Sequence, residues 1–311
     1  MAQGDAREVE GLFLDDAVRL ATALSQHVAR DAGIRTLVIK GPLAADQGLR
    51  EPRVSSDVDL LVDPARFDDL LAAFGRYGWI ARPSAAFPTL LALHSRTLVH
   101  PRWNCDIDVH HYWPGFLGEP GEVFEHLWGR RQALPIAKVP VDSTGTVDSA
   151  LVLALHWLRE AGHTEASSRK MHDYRFLIAQ VQQDPALIDA VMASAVDADA
   201  VQTARPFLTE LGFDVAEERN PSEALRRWNL NVHARHRMTG WMLQLREASV
   251  WQKPGVIMRA VFPSASDLRA IDPQIGDGRA AVVAGWWRRF ARGVRSAPQV
   301  VHDLREHYRS D

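Results

Sequence analysis

Apolar residues recur along this chain at two different spacings, and the balance between them changes near residue 145. Leu12, Leu14, Val18, Leu20, Ala21, Leu24 and Val28 recur at helical intervals, which predicts an amphipathic helix over residues 8–32 ending near Gly33. Residues 36–39, Thr-Leu-Val-Ile, are short and almost wholly apolar, the mark of a buried strand. Pro42 suits the first turn of a helix running to about Leu49. Residues 57–62 read as the next strand, and Pro64 opens a helix carrying Phe67, Leu70, Leu71 and Phe74. Residues 79–81 predict a short strand, and residues 83–95 carry no decisive pattern. Residues 96–100 and 103–111 read as two strands joined by a tight turn at Pro101-Arg102.

Beyond residue 145 strand signals cease. Val147, Ala150, Leu151, Ala154, Trp157 and Leu158 mark a strong helix over 146–161. Further helices are predicted over 168–182, 185–195, 198–212, 222–247 and 279–308, with an irregular stretch at 262–278. The Asp-Ser-Thr-Gly loop within 141–145 marks a boundary. The expectation is an α+β chain: a small mixed β-sheet with helices over 1–143, then an all-α domain over 144–311 that forms the other wall of a cleft.

Composition narrows the classes. The chain has 311 residues, 46% hydrophobic and 24% charged, the proportions of a soluble globular protein. Its net charge of −3 gives no global basic field for nucleic acid. Its single cysteine, Cys105, excludes an internal disulfide and a cysteine-based zinc site. No apolar run approaches the roughly 20 residues of a membrane span, so no integral membrane association is expected. The polar, acidic N-terminus does not read as a signal peptide, and a cytoplasmic protein is expected.

The chemistry concentrates where polar residues interrupt these strands. Alternate strand residues share a face, so Asp57 and Asp59 lie together while Val58 and Leu60 point to the core. Two adjacent carboxylates repel unless a cation lies between them. Lys40-Gly41 closes the preceding strand. A glycine at a strand-to-helix turn lets backbone approach an anion, the helix N-terminus favours negative charge, and Lys40 meets phosphate as a point charge. A third acid would complete a centre for two Mg²⁺ or Mn²⁺ ions. Asn104, Asp106, Asp108 and His110 share one face of the later strand, so Asp106 and Asp108 are both candidates. His110 and His111 are open to roles as ligands, substrate contacts or strand-end polar residues. Arg53 reads as a phosphate contact or an acid's partner, and Ser55 or Ser56 as a phosphate donor or a cap. Lys170 either reaches phosphate or pairs with Asp173 on its own helix. His156 with His163 or His172 reads as a second metal site or as ordinary buried histidines.

The segments Leu37-Val38-Ile39-Lys40-Gly41-Pro42-Leu43-Ala44, Arg53-Val54-Ser55-Ser56-Asp57-Val58-Asp59-Leu60-Leu61-Val62 and Asp108-Val109-His110 together resemble the uncharacterised nucleotidyltransferase family of the polymerase-beta-like superfamily. The resemblance is clear over about residues 10–115 and fainter through His156, Asp173 and the segment from Phe262-Pro263 to Leu268-Arg269. It implies that Asp57 and Asp59 are paired metal ligands and Asp108 the third carboxylate. Lys40, Gly41, Arg53, Ser56 and Lys170 are the residues expected to contact nucleotide phosphates. Lys40-Gly41 stands where the superfamily usually has Gly-Ser or Gly-Gly. The implied reaction moves NMP from an NTP such as ATP to an acceptor and releases pyrophosphate, with Mg²⁺ or Mn²⁺ as cofactor. Members often accompany natural-product gene clusters, and the acceptor is a small molecule, a sugar phosphate, a peptide or an RNA end. Two other readings stand beside it. Asp-x-Asp also serves metal-bound nucleotide-sugar donors in glycosyltransferases, and the scaffold also suits a non-catalytic nucleotide-binding or regulatory protein. Residues 279–311 hold seven Arg against three acids around Trp286, Trp287 and Phe290, a basic helix suited to an anionic membrane, to RNA or to packing on the domain itself.

Overall fold

A computed structural model describes residues 12–82, 94–160, 167–233, 245, 248–265, 268, 275–276, 278–291 and 294–295. Helix α1 (Leu14–Asp31) leads into β1 (Thr36–Ile39) and α2 (Gly41–Asp46). Then come β2 (Asp57–Val62), a 3₁₀ turn (Pro64–Arg66), α3 (Phe67–Gly75), β3 (Ile80–Ala81), β4 (Ser95–Val99) and β5 (Asp106–His110). Helix α4 (Pro120–Gly129) precedes a hairpin of β6 (Gln132–Ile136) and β7 (Val139–Ser143). Helices α5 (Thr146–Glu160), α6 (Ser167–Val181), α7 (Pro185–Asp197), α8 (Arg205–Glu210), α9 (Glu223–His233) and α10 (Lys253–Val261) follow, and residues 279–291 are helical.

The strands form one seven-stranded mixed sheet in the order β3-β4-β5-β2-β1-β7-β6. It is larger than the small sheet the sequence predicts, because the β6–β7 hairpin adds an edge. Sequence patterns hide that hairpin for a physical reason. Its two turn residues, Ala137 and Lys138, both have positive φ (47° and 62°), a turn usually marked by Asn-Gly or Asp-Gly. Pro135 and Pro140 face each other across it, and proline within a strand weakens the strand signal. Helices α4 and α10 are likewise unanticipated. The helix expected over 198–212 contracts to Arg205–Glu210. Strand β5 starts at Asp106 rather than residue 103, and Asn104 instead donates its side-chain amide to the Leu12 carbonyl at 2.8 Å. The expected extensions of α9 over 234–244 and 246–247, and of the last helix past 295, lie outside the described residues, while residue 245 is helical.

The chain divides into two units. One comprises residues up to Ala81, Ser95–Trp113 and Glu119–Val152; the other comprises Arg82–His94, Pro114–Gly118 and Leu153 onward. In the first, Val58, Leu60 and Val62 of β2 join Ile107 and Val109 of β5 in a buried core with Ala17, Val18 and Val28 of α1 and Leu70 and Phe74 of α3. That core claims one face of β2, which leaves the faces of Asp57 and Asp59 for other work. In the second unit the described elements are helices. Gly115 is locked among them: the Thr203 hydroxyl donates to its carbonyl at 2.6 Å. Near the end of the chain, Leu268, Ile275 and Val282 form a small cluster against which Trp286 packs, its indole N–H donating to Pro263, while Trp287 and Phe290 remain exposed. Among the described residues, no helix is long and apolar enough to cross a membrane.

Candidate active site

The polar face of the sheet centres on β2, which lies between β1 and β5. Strand β5 pairs parallel with β2, setting Asp57 opposite Asp106 and Asp59 opposite Asp108. Directly paired residues share a sheet face, so four carboxylates lie on the side away from the core. His110, two residues beyond Asp108, continues that face. Strands β2 and β5 spend their other face on Val, Leu or Ile in the core, and this fixes which side the acids occupy.

The turn after β1 supplies the cation. Lys40 adopts φ 55° and ψ −142°, and Gly41 follows with φ 52°. A lysine in this glycine-favouring region is strained, and such strain persists only where the surroundings enforce it. Its ammonium lies 2.9 Å from Asp59 Oδ1 and 4.9 Å from the centroid of the Trp113 ring. His110 Nε2 lies 3.0 Å from the same Asp59 oxygen, and the His110 and Trp113 rings meet edge-on at 5.0 Å. Trp113 is buried and donates its indole N–H to the Val152 carbonyl at 3.2 Å.

The electrostatics follow from this crowding. Asp59 is only 5% exposed. Burial by itself would raise its pKa, but the Lys40 ammonium and then His110 outweigh burial and hold the carboxyl well below the usual range. Asp57 has no such neutralising partner. Burial, then the Asp59 charge, push it up to about 6, against a smaller opposing pull from Lys40. Burial holds the His110 imidazole below its ordinary value, partly opposed by its bond to Asp59. Among the described residues, buried Asp108 Oδ1 has no hydrogen-bond partner. Such an acceptor typically costs about 1–3 kcal/mol if nothing compensates it. Asp59, Asp108 and His110 each offer a ligand atom, all within 4.8 Å of one another. This oxygen-rich set with one imidazole fits a divalent cation such as Mg²⁺ or Mn²⁺. The orphaned Asp108 oxygen is where such an ion would supply the missing partner.

The other expected residues are placed as follows. Gly41 stands beside buried Ser55, whose Oγ would lie 3.9 Å from a Cβ at Gly41, and Arg50 donates to that hydroxyl at 3.3 Å. Ser56 is exposed and donates to Asp57 Oδ1 at 3.3 Å. Arg53 is exposed, and Asp106 is half-buried. The side chain of Lys170 and the whole of His163 lie outside the described residues. Among the described residues, His156 and His172 belong to no metal-competent group. Trp113 and Arg50 carry no motif signal and go unread in the sequence. His110 had one, its alternate spacing from Asp108.

Residues 2–237 match the family described as "Uncharacterised nucleotidyltransferase". Three solved structures show distant likeness. An antigenic nucleotidyltransferase-like protein from Paracoccidioides brasiliensis is 14% identical, with a TM-score of 0.38 over 62% of this chain and 93% of that one. The antibiotic-resistance factor ANT(2'')-Ia is 14% identical, with a TM-score of 0.39 over 61% and 96%. A tRNA-processing enzyme is 12% identical, with a TM-score of 0.27 over 96% and 91%. At these scores the likenesses carry no functional argument. No curated protein matches the chain.

Proposed function

The chain belongs to the uncharacterised nucleotidyltransferase family, and from that premise we propose that it moves NMP from an NTP to an acceptor hydroxyl or phosphate and releases pyrophosphate, using Mg²⁺ or Mn²⁺. One observation carries the metal dependence: Asp59 and Asp108 are paired across β2 and β5, and a buried Asp108 oxygen has no hydrogen-bond partner among the described residues. Asp57, Asp59 and Asp108 would hold the metal, two ions being what three carboxylates can accommodate. When bound, the metal neutralises phosphate charge and makes an acceptor hydroxyl easier to deprotonate.

The chain's own residues do the rest. Asp59 is oriented by His110, whose Nε2 can donate to it. Lys40 and the Gly41 backbone hold phosphate oxygens at the start of α2. Ser56 and Arg53, both exposed just before β2, contact the outer phosphates, and Lys170 is assigned to the same group. The acceptor oxygen forms a bond to the α-phosphorus, the bond to the bridging oxygen breaks, pyrophosphate leaves with the electron pair, and the proton of a hydroxyl acceptor passes to solvent.

Purified protein is incubated with each α-labelled NTP, Mg²⁺ and a panel of sugar phosphates, peptides and RNA ends. Pyrophosphate release and label transfer that vanish in Asp59→Asn are the expected result. Mn²⁺ and NTP binding without turnover on any acceptor would favour a nucleotide-binding protein instead.

A further inference from the structure

Lys40 stands in a position that a phosphate-binding lysine does not need. Its side chain is only 15% exposed, and the ammonium contacts Asp59 Oδ1, an oxygen of the carboxylate that a metal would use. The ammonium also lies over the Trp113 ring, 4.9 Å from its centroid. A cation over an indole face is attracted by the ring quadrupole, most strongly when partly desolvated. Trp113 cannot swing away freely, because it is 1% exposed and its N–H is bonded to Val152. An ammonium and a divalent ion on one carboxylate repel each other.

We propose that Lys40 is the resident counter-ion of the metal site, clamped between Asp59 and Trp113, and that the phosphates of an incoming nucleotide draw it away. Metal and nucleotide then bind together, and a bare divalent ion binds poorly. This rests on the metal-dependent reading above. It adds a role for Lys40 before any phosphate arrives, and it makes Trp113 a positioning residue that acts through Lys40. The arrangement suits a transfer enzyme, since a metal held without its nucleotide would do no work.

Two measurements on the full chain test this. The first titrates Mn²⁺, read by the paramagnetic resonance of the free ion, with and without an NTP analogue carrying a methylene between the α- and β-phosphates. Without nucleotide, Lys40→Met is expected to bind Mn²⁺ about tenfold tighter than the wild type, as expected for removal of a neighbouring like charge. Lys40→Arg is expected to stay weak. Adding the analogue should tighten Mn²⁺ binding in the wild type far more than in Lys40→Met. The second needs no variant, which guards against Lys40→Met failing to fold. The chain has only four lysines, so a ¹³Cε-lysine NMR spectrum is simple. The Lys40 signal should be displaced by the Trp113 ring current in the free protein and lose that displacement with Mg²⁺ and the analogue together. A signal unmoved by Mg²⁺ and analogue, or equal Mn²⁺ affinity in wild type and a folded Lys40→Met, overturns the proposal while leaving the transferase reading intact. Absence of Mn²⁺ binding in every protein, with or without the analogue, overturns the metal-dependent reading and this proposal with it.

Discussion

Replacing Asp57 by asparagine should make the metal-free protein more stable while disabling it. The Asp57 carboxyl is raised from an ordinary 3.8 to about 6 by burial and by the charge of Asp59. Ionising it in the folded state is therefore costly. A rise from 3.8 to about 6 corresponds to about 3 kcal/mol. The side chain is half-buried, and solvent screening reduces that to about 1.5 kcal/mol. The sign follows from linkage. With its pKa raised on folding, Asp57 favours the folded state fully below about pH 4, and that contribution is lost as pH rises through about 6. Asparagine has no proton to lose and can keep the hydrogen bond from the Ser56 hydroxyl. In a chelator, urea unfolding should thus place Asp57→Asn ahead of the wild type by about 1.5 kcal/mol more at pH 8 than at pH 4. Saturating Mn²⁺ should narrow that lead, because the ion stabilises only the ionised carboxylate. A lead that is the same at both pH values, or a variant less stable than the wild type at pH 8 in chelator, would show that ionising Asp57 does not cost the folded state this energy.

Asp108→Asn should weaken Mn²⁺ binding about 10- to 100-fold, measured by isothermal titration calorimetry with nucleotide present, and leave the melting temperature in chelator unchanged or higher. Trp113→Phe keeps an aromatic ring but shrinks a buried side chain and loses the hydrogen bond to Val152, so chemical denaturation should register a loss of about 1 kcal/mol or more. Gly115→Ala introduces a Cβ at φ +104°, 2.8 Å from Leu155 Cδ2, and should cost about 2 kcal/mol or more in the same assay.

Much of the scaffold was legible from local pattern. The apolar runs of β1 and β2 predicted those strands to the residue, because a fully buried face leaves little freedom in composition. Helix α5 was legible from its apolar periodicity, and α6 and α7 lie within two residues of the predicted bounds. The β6–β7 hairpin did not, because its left-handed turn is built from Ala137 and Lys138 and its strands carry prolines. Asp57 and Asp59 stood out as charges heading an otherwise apolar strand, and Lys40-Gly41 as a cation beside a glycine turn.

What the sequence determined by itself was therefore the face each side chain occupies. Alternation along β2 and β5 is a local property of a pleated backbone, and it commits Asp57, Asp59, Asp106, Asp108 and His110 to the sheet face away from the helical core. It cannot say which acid meets which. Sliding β5 by two residues along β2 keeps every side chain on the same face, so Asp106 and Asp108 are equivalent in pattern. Only the tertiary register sets Asp108 beside Asp59 and Asp106 beside Asp57. Only the fold brings Trp113, past the end of β5, against Lys40. Contacts between residues far apart in sequence depend on how the whole sheet assembles around its core, and no local spacing encodes them.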